Sequence, residues 1–155
     1  MPNHCYNRVT ISAREGKEDQ FKKLVEIFES DTPFETLYPS PDWPNTPNDK
    51  GELPELREMK NSKGEVFTTT YEFPGGINDD RWYHWRVDNW GTKWEAYDQS
   101  EGDIDKECGY AEFTFNTAWA PATGIYDAIV EKFPDVGISW FYDEPGCELA
   151  GYLPD

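Results

Sequence analysis

Positive charge is what this chain has least of. Its 155 residues hold 14 Lys and Arg against 31 Asp and Glu, a net charge of −17 at pH 7. Binding to duplex DNA by phosphate neutralisation needs clustered cations, so direct nucleic-acid binding is not expected. Long apolar runs are missing too. No stretch nears the ~18 apolar residues of a membrane helix. The opening Met1-Pro2-Asn3-His4 lacks a basic segment followed by an apolar one. Neither a membrane span nor a secretory signal is therefore expected. Cysteine is sparse: Cys5, Cys108 and Cys147 are odd in number and far apart. That argues against a disulfide framework and for reduced thiols in a cytoplasm.

Signatures of catalysis are also lacking. There is no phosphate-binding glycine loop, no nucleophile motif and no histidine with a nearby activating partner. His4, Cys5 and His84 are metal-ligand types, but their spacing matches no zinc pattern. The acids Asp98, Glu101, Asp103, Asp105 and Glu107 lack the glycine and terminal glutamate of a calcium loop, and read as a solvated hairpin turn. No cofactor and no metal are expected. The chain reads first as a non-enzymatic accessory protein acting by binding, with a small-ligand binder as the alternative and an uncharacterised enzyme as the third reading.

What is present is aromatic weight and unevenly spread acid. Aromatics make up 16% of the chain, and four of its seven tryptophans fall between Trp82 and Trp94. Each such ring buries ~150–250 Å², so Trp82, Trp85, Trp90 and Trp94 read as core, with stacking on a base as the alternative. Fourteen acidic residues against Lys106 and Lys132 leave −12 on residues 94–155, and the first 93 residues carry the other −5.

Periodicity places the elements. Residues 6–13 alternate in polarity and read as a strand. Residues 17–29 carry Phe21, Leu24, Val25 and Phe28 at helical spacing. Six prolines between Pro33 and Pro54 exclude a continuous helix or central strand, so a long surface insertion is expected over 31–75. It would be pinned by Phe34, Leu37, Tyr38 and Trp43. Within it, residues 54–59 read as a helical turn and 65–73 as a strand or extended arm. Asn78 or Asp79 would cap a helix running to about Asn89, which Gly91 would leave in a left-handed conformation. Residues 94–98 then read as a strand, 99–106 as a polar turn, and 109–116 as the partner strand. Pro121 would start a helix to about 133, followed by strands at 136–142 and 148–152.

The order β, α, insertion with helix, ββ, α, β, β contains the split βαβ pattern of an α+β, ferredoxin-like domain. It predicts one mainly antiparallel sheet with the helices near 17–29 and 121–133 on one face, in a single domain over 1–155. The other face would be covered by the insertion or left for a partner.

Four segments carry a family resemblance: Met1-Pro2-Asn3-His4-Cys5-Tyr6-Asn7, the block from Trp82 to Trp94, Phe115-Asn116-Thr117-Ala118-Trp119-Ala120-Pro121, and Tyr142-Asp143-Glu144-Pro145-Gly146. Together they resemble the YubB ferredoxin-like family of phage and plasmid proteins, across the chain except roughly residues 31–75. The resemblance implies a ferredoxin-like topology without an iron–sulfur cluster, and a mobile-element origin. It carries no catalytic residues.

Two candidate sites follow. The acidic tip formed by Glu101, Asp103, Asp105 and Glu107 would engage a basic host protein, as a nucleic-acid mimic does, because a strong acidic field speeds encounter with basic grooves. Alternatively, Trp82, Arg86, Lys93, Trp119 and Glu144 would line a pocket for a small nucleotide-like ligand. Here Arg86 would clamp a phosphate, or else pair with Asp79 or another carboxylate. Lys93 is open to a salt bridge and Glu144 to a role in a turn. The expected setting is a cytoplasm, that of the host if the protein is phage-encoded.

Overall fold

The computed structural model describes residues 3–154; Met1 and Pro2 of the opening motif lie outside the described residues. In chain order the elements are β1 (His4–Ala13), α1 (Glu18–Glu29), α2 (Pro33–Leu37), a 3-10 turn at Trp43–Asn45, β2 (Glu55–Lys60), β3 (Val66–Phe73) and β4 (Ile77–Asn78). There follow α3 (Arg81–Asn89), β5 (Tyr97–Asp105), β6 (Tyr110–Ala118), α4 (Thr123–Lys132), β7 (Val136–Glu144), a 3-10 turn at Pro145–Cys147 and β8 (Leu149–Leu153). The chain divides into two compact units, residues 1–39 with 86–155, and residues 40–85. The boundary falls within α3.

The first unit holds a five-stranded sheet in the order β5-β6-β1-β7-β8. All four neighbour pairs are antiparallel. β1 therefore runs parallel to β5 with β6 between them, and β6 runs parallel to β7 with β1 between them. These two interleaved split βαβ units are the ferredoxin-like topology, with β8 added at one edge. The expected α+β class is met, as are the strands expected near 6–13, 109–116, 136–142 and 148–152.

One face of the sheet is the core. Cys5, Asn7, Val9 and Ile11 of β1 are fully buried, and Ala111, Phe113 and Phe115 of β6 nearly so. The register sets Asn7 opposite Phe115 and Val9 opposite both Phe113 and Trp140. On this face lie α1, whose Phe28 stacks on Phe113 at 5.5 Å, α2, whose Phe34 meets Phe115 edge-on at 5.7 Å, and α4, whose Tyr126 meets Trp140 at 6.3 Å. The α1 stripe is the expected Phe21, Leu24, Val25 and Phe28. All three helices share the face. The opposite face carries Tyr6, Arg8 and Phe141, with the Arg8 guanidinium 5.2 Å from the Phe141 ring centroid.

The short helix α2 is completed from a distance. Phe34 and Glu35 donate their amides to the two carboxylate oxygens of Glu95, at 2.8 and 2.9 Å. A helix this short leaves most of its amides without intrahelical partners, and Glu95 supplies two of the missing acceptors. Burial pushes the Glu95 carboxyl above its ordinary value, against those hydrogen bonds.

Several expectations are corrected. Residues 55–60 form a strand, not a helical turn: Glu55 to Lys60 pair with β3, and Arg57 reaches across to Glu72 at 2.9 Å. Good helix formers are overridden here by the pairing offered by the Val- and Thr-rich β3. With β4 these strands form a three-stranded sheet in the 40–85 unit; the strand expected at 65–73 is its β3, and β2 and β4 were not expected. Residues 99–105 are strand rather than polar turn, because β6 supplies a ladder that even Ser, Gly and Asp can join. Residues 94–96 precede that strand. Helix α4 begins at Thr123, two residues after Pro121.

The tryptophan reading is also corrected. Trp90 is fully buried and donates its indole N–H to the Tyr38 carbonyl at 2.8 Å. Trp94 is 36% exposed, Trp82 and Trp85 are half-buried, and no residue of α3 is buried. The helix ends as expected, with Gly91 at a φ of +89°. The Trp90 and Gly91 amides both donate to the Arg86 carbonyl, at 2.7 and 3.1 Å.

Candidate functional site

Within the first unit, residues 3–7, 86–94, 115–121 and 142–146 of the segments that carry the resemblance converge at one end of the five-stranded sheet. The start of β1 (Asn3 to Asn7) lies beside the end of β6, where the Trp119 amide donates to the Asn3 carbonyl at 2.9 Å. Thr92, just past α3, donates its hydroxyl to the Ala118 carbonyl at 2.9 Å. Glu144 and Cys147 follow the end of β7, which pairs with β1 from Tyr6 onward.

Its interior is polar and closed. Trp140 donates its indole N–H to Asn7 Oδ1 at 2.9 Å. Asn7 Nδ2 donates to the Cys5 carbonyl and to Thr117 Oγ1, both at 2.9 Å, and Thr117 donates to the Ala120 carbonyl at 2.6 Å. Each donor finds an acceptor, as a buried network requires. Desolvation by burial pushes the Cys5 thiol up to about 11, so the thiolate is absent at neutral pH and Cys5 is no nucleophile.

Its surface is strained and aromatic. Trp119 has φ of +69°, and the Ala120 amide bonds back to the Ala118 carbonyl at 2.8 Å. This is a γ-turn of the rare, positive-φ kind, built on a bulky side chain that seldom tolerates it. It leaves the indole 48% exposed. Strain of this sort persists only where the surroundings over-determine it, and it collects at functional sites. Nearby, His4 Nδ1 hydrogen-bonds the Tyr97 hydroxyl. Tyr97 meets Trp94 at 6.1 Å, and Lys93 Nζ sits 4.6 Å from the Trp94 ring centroid.

The five residues expected to line one pocket fall in different settings. Trp82 belongs to the 40–85 unit. Arg86 lies 4.6 Å from the Trp90 ring and donates to the Lys93 carbonyl at 3.4 Å; its charge also favours ionised Glu95. The alternative partner Asp79 is taken instead by Arg81. Lys93 makes a cation–π contact with Trp94. Glu144 is 1% exposed and accepts from the Cys147 amide, which bears out its turn role; its Oε1 has no hydrogen-bond partner.

The acidic candidates are relocated. Glu101 and Asp103 lie in the body of edge strand β5, Asp105 ends it, and only Glu107 is in the turn. Asp105 Oδ1 accepts from the Glu107 and Cys108 amides at 3.1 and 3.0 Å, so it closes the turn. The Cys108 hydrogen bonds hold its carboxyl below the usual range. Glu101 instead joins Glu29 and Asp31 around a cleft of about 190 Å³ at the C-terminal end of α1. That helix has no basic residue in its last turn. Its dipole therefore adds to the three carboxylates, of which Glu29 pairs with Lys106 at 3.7 Å.

Sequence reasoning missed Asn7, Thr117, Glu29 and Asp31. Asn7 was detectable as a polar residue on the apolar phase of β1. Glu29 and Asp31 were not, since only the fold brings them to β5. Among the described residues, no group of three or more His, Cys, Asp or Glu side chains is arranged to hold a metal ion. No helix among the described residues is long and apolar enough to cross a membrane.

Residues 89–153 match the family model of a ferredoxin-like domain in Api92-like protein. The match spans the end of α3 through β8, and β1 and α1 complete the topology outside it. No curated protein and no solved structure matches the chain.

Proposed function

We propose that this protein acts by binding and not by catalysis, and that its acidic flank engages a basic surface on a partner protein, as an acidic mimic of nucleic acid does. The observation that carries this reading is the cleft shared by Glu29, Asp31 and Glu101 at the negative end of α1, whose last turn has no basic residue. Placing three carboxylates there works against the helix dipole, and a cation from outside relieves it. Of the two cations of residues 94–155, Lys106 pairs with Glu29 at 3.7 Å, and Lys132 donates to the Leu37 carbonyl. The resemblance to YubB proteins supports a phage or plasmid origin, and hence a host protein as the partner and the host cytoplasm as the setting.

The test is affinity capture from host lysate at low and high salt, with the wild type and with Glu29→Gln/Asp31→Asn/Glu101→Gln. Basic proteins should be retained at low salt and released as screening shortens below ~8 Å. The triple variant should lose them without a fall in Tm. Retention that ignores both salt and these changes would sink the reading. The strained, exposed Trp119 favours a second reading, in which the sheet end holds a small nucleotide-like ligand. Direct titration with mononucleotides, read by a perturbed Trp119 indole resonance, decides that one.

A further inference from the structure

We propose that β8 is the interface through which two copies of this chain pair edge to edge, joining their five-stranded sheets into one continuous sheet. The strand lies at the end of its sheet, so one side of its backbone has no ladder partner among the described residues. Edges of this kind are normally guarded by charge, proline or irregular pairing. The fold guards two of its other edges. β5 is interrupted by register shifts at Tyr97/Ser100 and Glu101/Ile104, and β2 carries Glu55, Arg57, Glu58 and Lys60. β8 has neither device. It pairs with β7 from Leu149 to Leu153 without a shift, and its sequence Leu-Ala-Gly-Tyr-Leu holds no charge.

The same sequence selects the occupant. A two-fold axis normal to a sheet sets identical strands antiparallel and keeps each side chain on its own face, so residues opposite one another share a face. Only the register centred on Gly151 pairs the whole strand. It sets Leu149 opposite Leu153 of the second copy, Ala150 opposite Tyr152 of the second copy, and Gly151 opposite its own equivalent. On the helix-bearing face, Leu153 is 7% exposed but Leu149 is 57% exposed, and Leu153 of the second copy covers it. On the open face, Tyr152 meets the Phe141 ring at 5.4 Å. Its new neighbour there is Ala150 of the second copy, small enough to leave that ring in place. Apolar meets apolar and large meets small, at both ends alike. A foreign strand fits less well. A chain of net charge −17 draws partners through their cations, and β8 presents no carboxylate to receive one.

Charge sets the strength of the pairing. Two copies of −17 repel one another, and salt screens that repulsion. Added salt therefore strengthens this dimer, whereas it weakens capture of a basic partner by the acidic flank. The two assignments fail separately.

Sedimentation equilibrium on the full chain, from micromolar to millimolar protein at low and high salt, tests the pairing. The mean mass should climb from one chain towards two, and at lower protein concentration in high salt. Leu149→Lys and Tyr152→Lys should each weaken the dimer about tenfold, the worth of one buried apolar side chain. Their Tm should barely change, because both side chains are already exposed. Each lysine also reduces the net negative charge, so association through any other surface would hold or tighten instead. In a Cys108→Ser/Cys147→Ser background, Gly151→Cys should oxidise to a disulfide-linked dimer, since residues opposed across the axis have Cα atoms ~4.5–5.5 Å apart. Ala150→Cys, opposed by Tyr152 of the second copy, should not. If Gly151→Cys lowers Tm, the lysine variants decide. A single chain at every concentration would leave the edge to another partner and overturn the assignment. So would a dimer that ignores both lysines, or one that loosens in salt.

Discussion

Gly124 meets the Asn89 carbonyl so closely that a Cβ at position 124 would lie 1.7 Å from its oxygen. The Gly124 amide donates to the neighbouring Trp90 carbonyl at 3.0 Å. The start of α4 thus rests directly on the end of α3, and it is this contact that holds Trp90 in the core.

Gly124→Ala should therefore cost roughly 3 kcal/mol or more, at the top of the range for overpacking, because the obstacle is backbone and cannot rotate away. Chemical denaturation measures it. A loss below about 1 kcal/mol would mean that the two helix ends separate easily.

Trp90 and Trp94 should behave oppositely. Trp90→Ala removes a fully buried ring and its hydrogen bond to Tyr38, and should cost about 3–5 kcal/mol. Trp94→Ala removes a ring that is 36% exposed and should cost roughly 1 kcal/mol or less. Equal losses would place Trp94 in the core after all.

The three thiols should separate by reactivity. Cys5 is buried with its pKa near 11, whereas Cys108 and Cys147 are exposed. At pH 8, an aromatic disulfide reagent should modify two thiols in the folded protein and three after denaturation. Both exposed thiols should react more slowly than a free cysteine, because hydrogen bonds to Asp105 and Glu144, respectively, raise their pKa values. Asp105→Ala should speed the Cys108 reaction. Rapid labelling of Cys5 in the native state would contradict its burial.

Acid should loosen the 40–85 unit through Asp79. The Arg81 hydrogen bond holds its carboxyl below 3.8 in the folded chain. The unfolded state therefore binds the proton first as pH falls. Stability from the pair is complete above the unfolded value and is lost as pH drops through the folded one. Amide exchange in β2 and β3, followed from pH 5 downward, should accelerate below about pH 4. In Asp79→Asn that acceleration should be absent, with faster exchange already at pH 7. An acid profile identical in the two proteins would show that another carboxylate controls it.

What the sequence disclosed was whatever a single element decides for itself. The alternation of β1 and the Phe21, Leu24, Val25 and Phe28 stripe of α1 are local patterns, and both were legible. What it concealed depends on a partner strand or a distant loop. Glu55 to Lys60 are helix formers drawn into a sheet by β3. Glu95 caps a helix 60 residues earlier in the chain. The four tryptophans from Trp82 to Trp94 read as core, yet of these only Trp90 is buried. Gly91 turns the chain inward at that one residue, which composition cannot reveal.

The two borders of the five-stranded sheet have unequal fates. β5 is broken by register shifts at Tyr97/Ser100 and at Glu101/Ile104, and nearly all of its residues are exposed. Irregular, negatively charged borders are poor templates for a further strand. β8 pairs with β7 from Leu149 to Leu153 without a shift and bears exposed Leu149 and Tyr152. Growth into fibres or strand-swapped chains would therefore begin at the C-terminal border, and a lysine or proline introduced there guards the protein at high concentration.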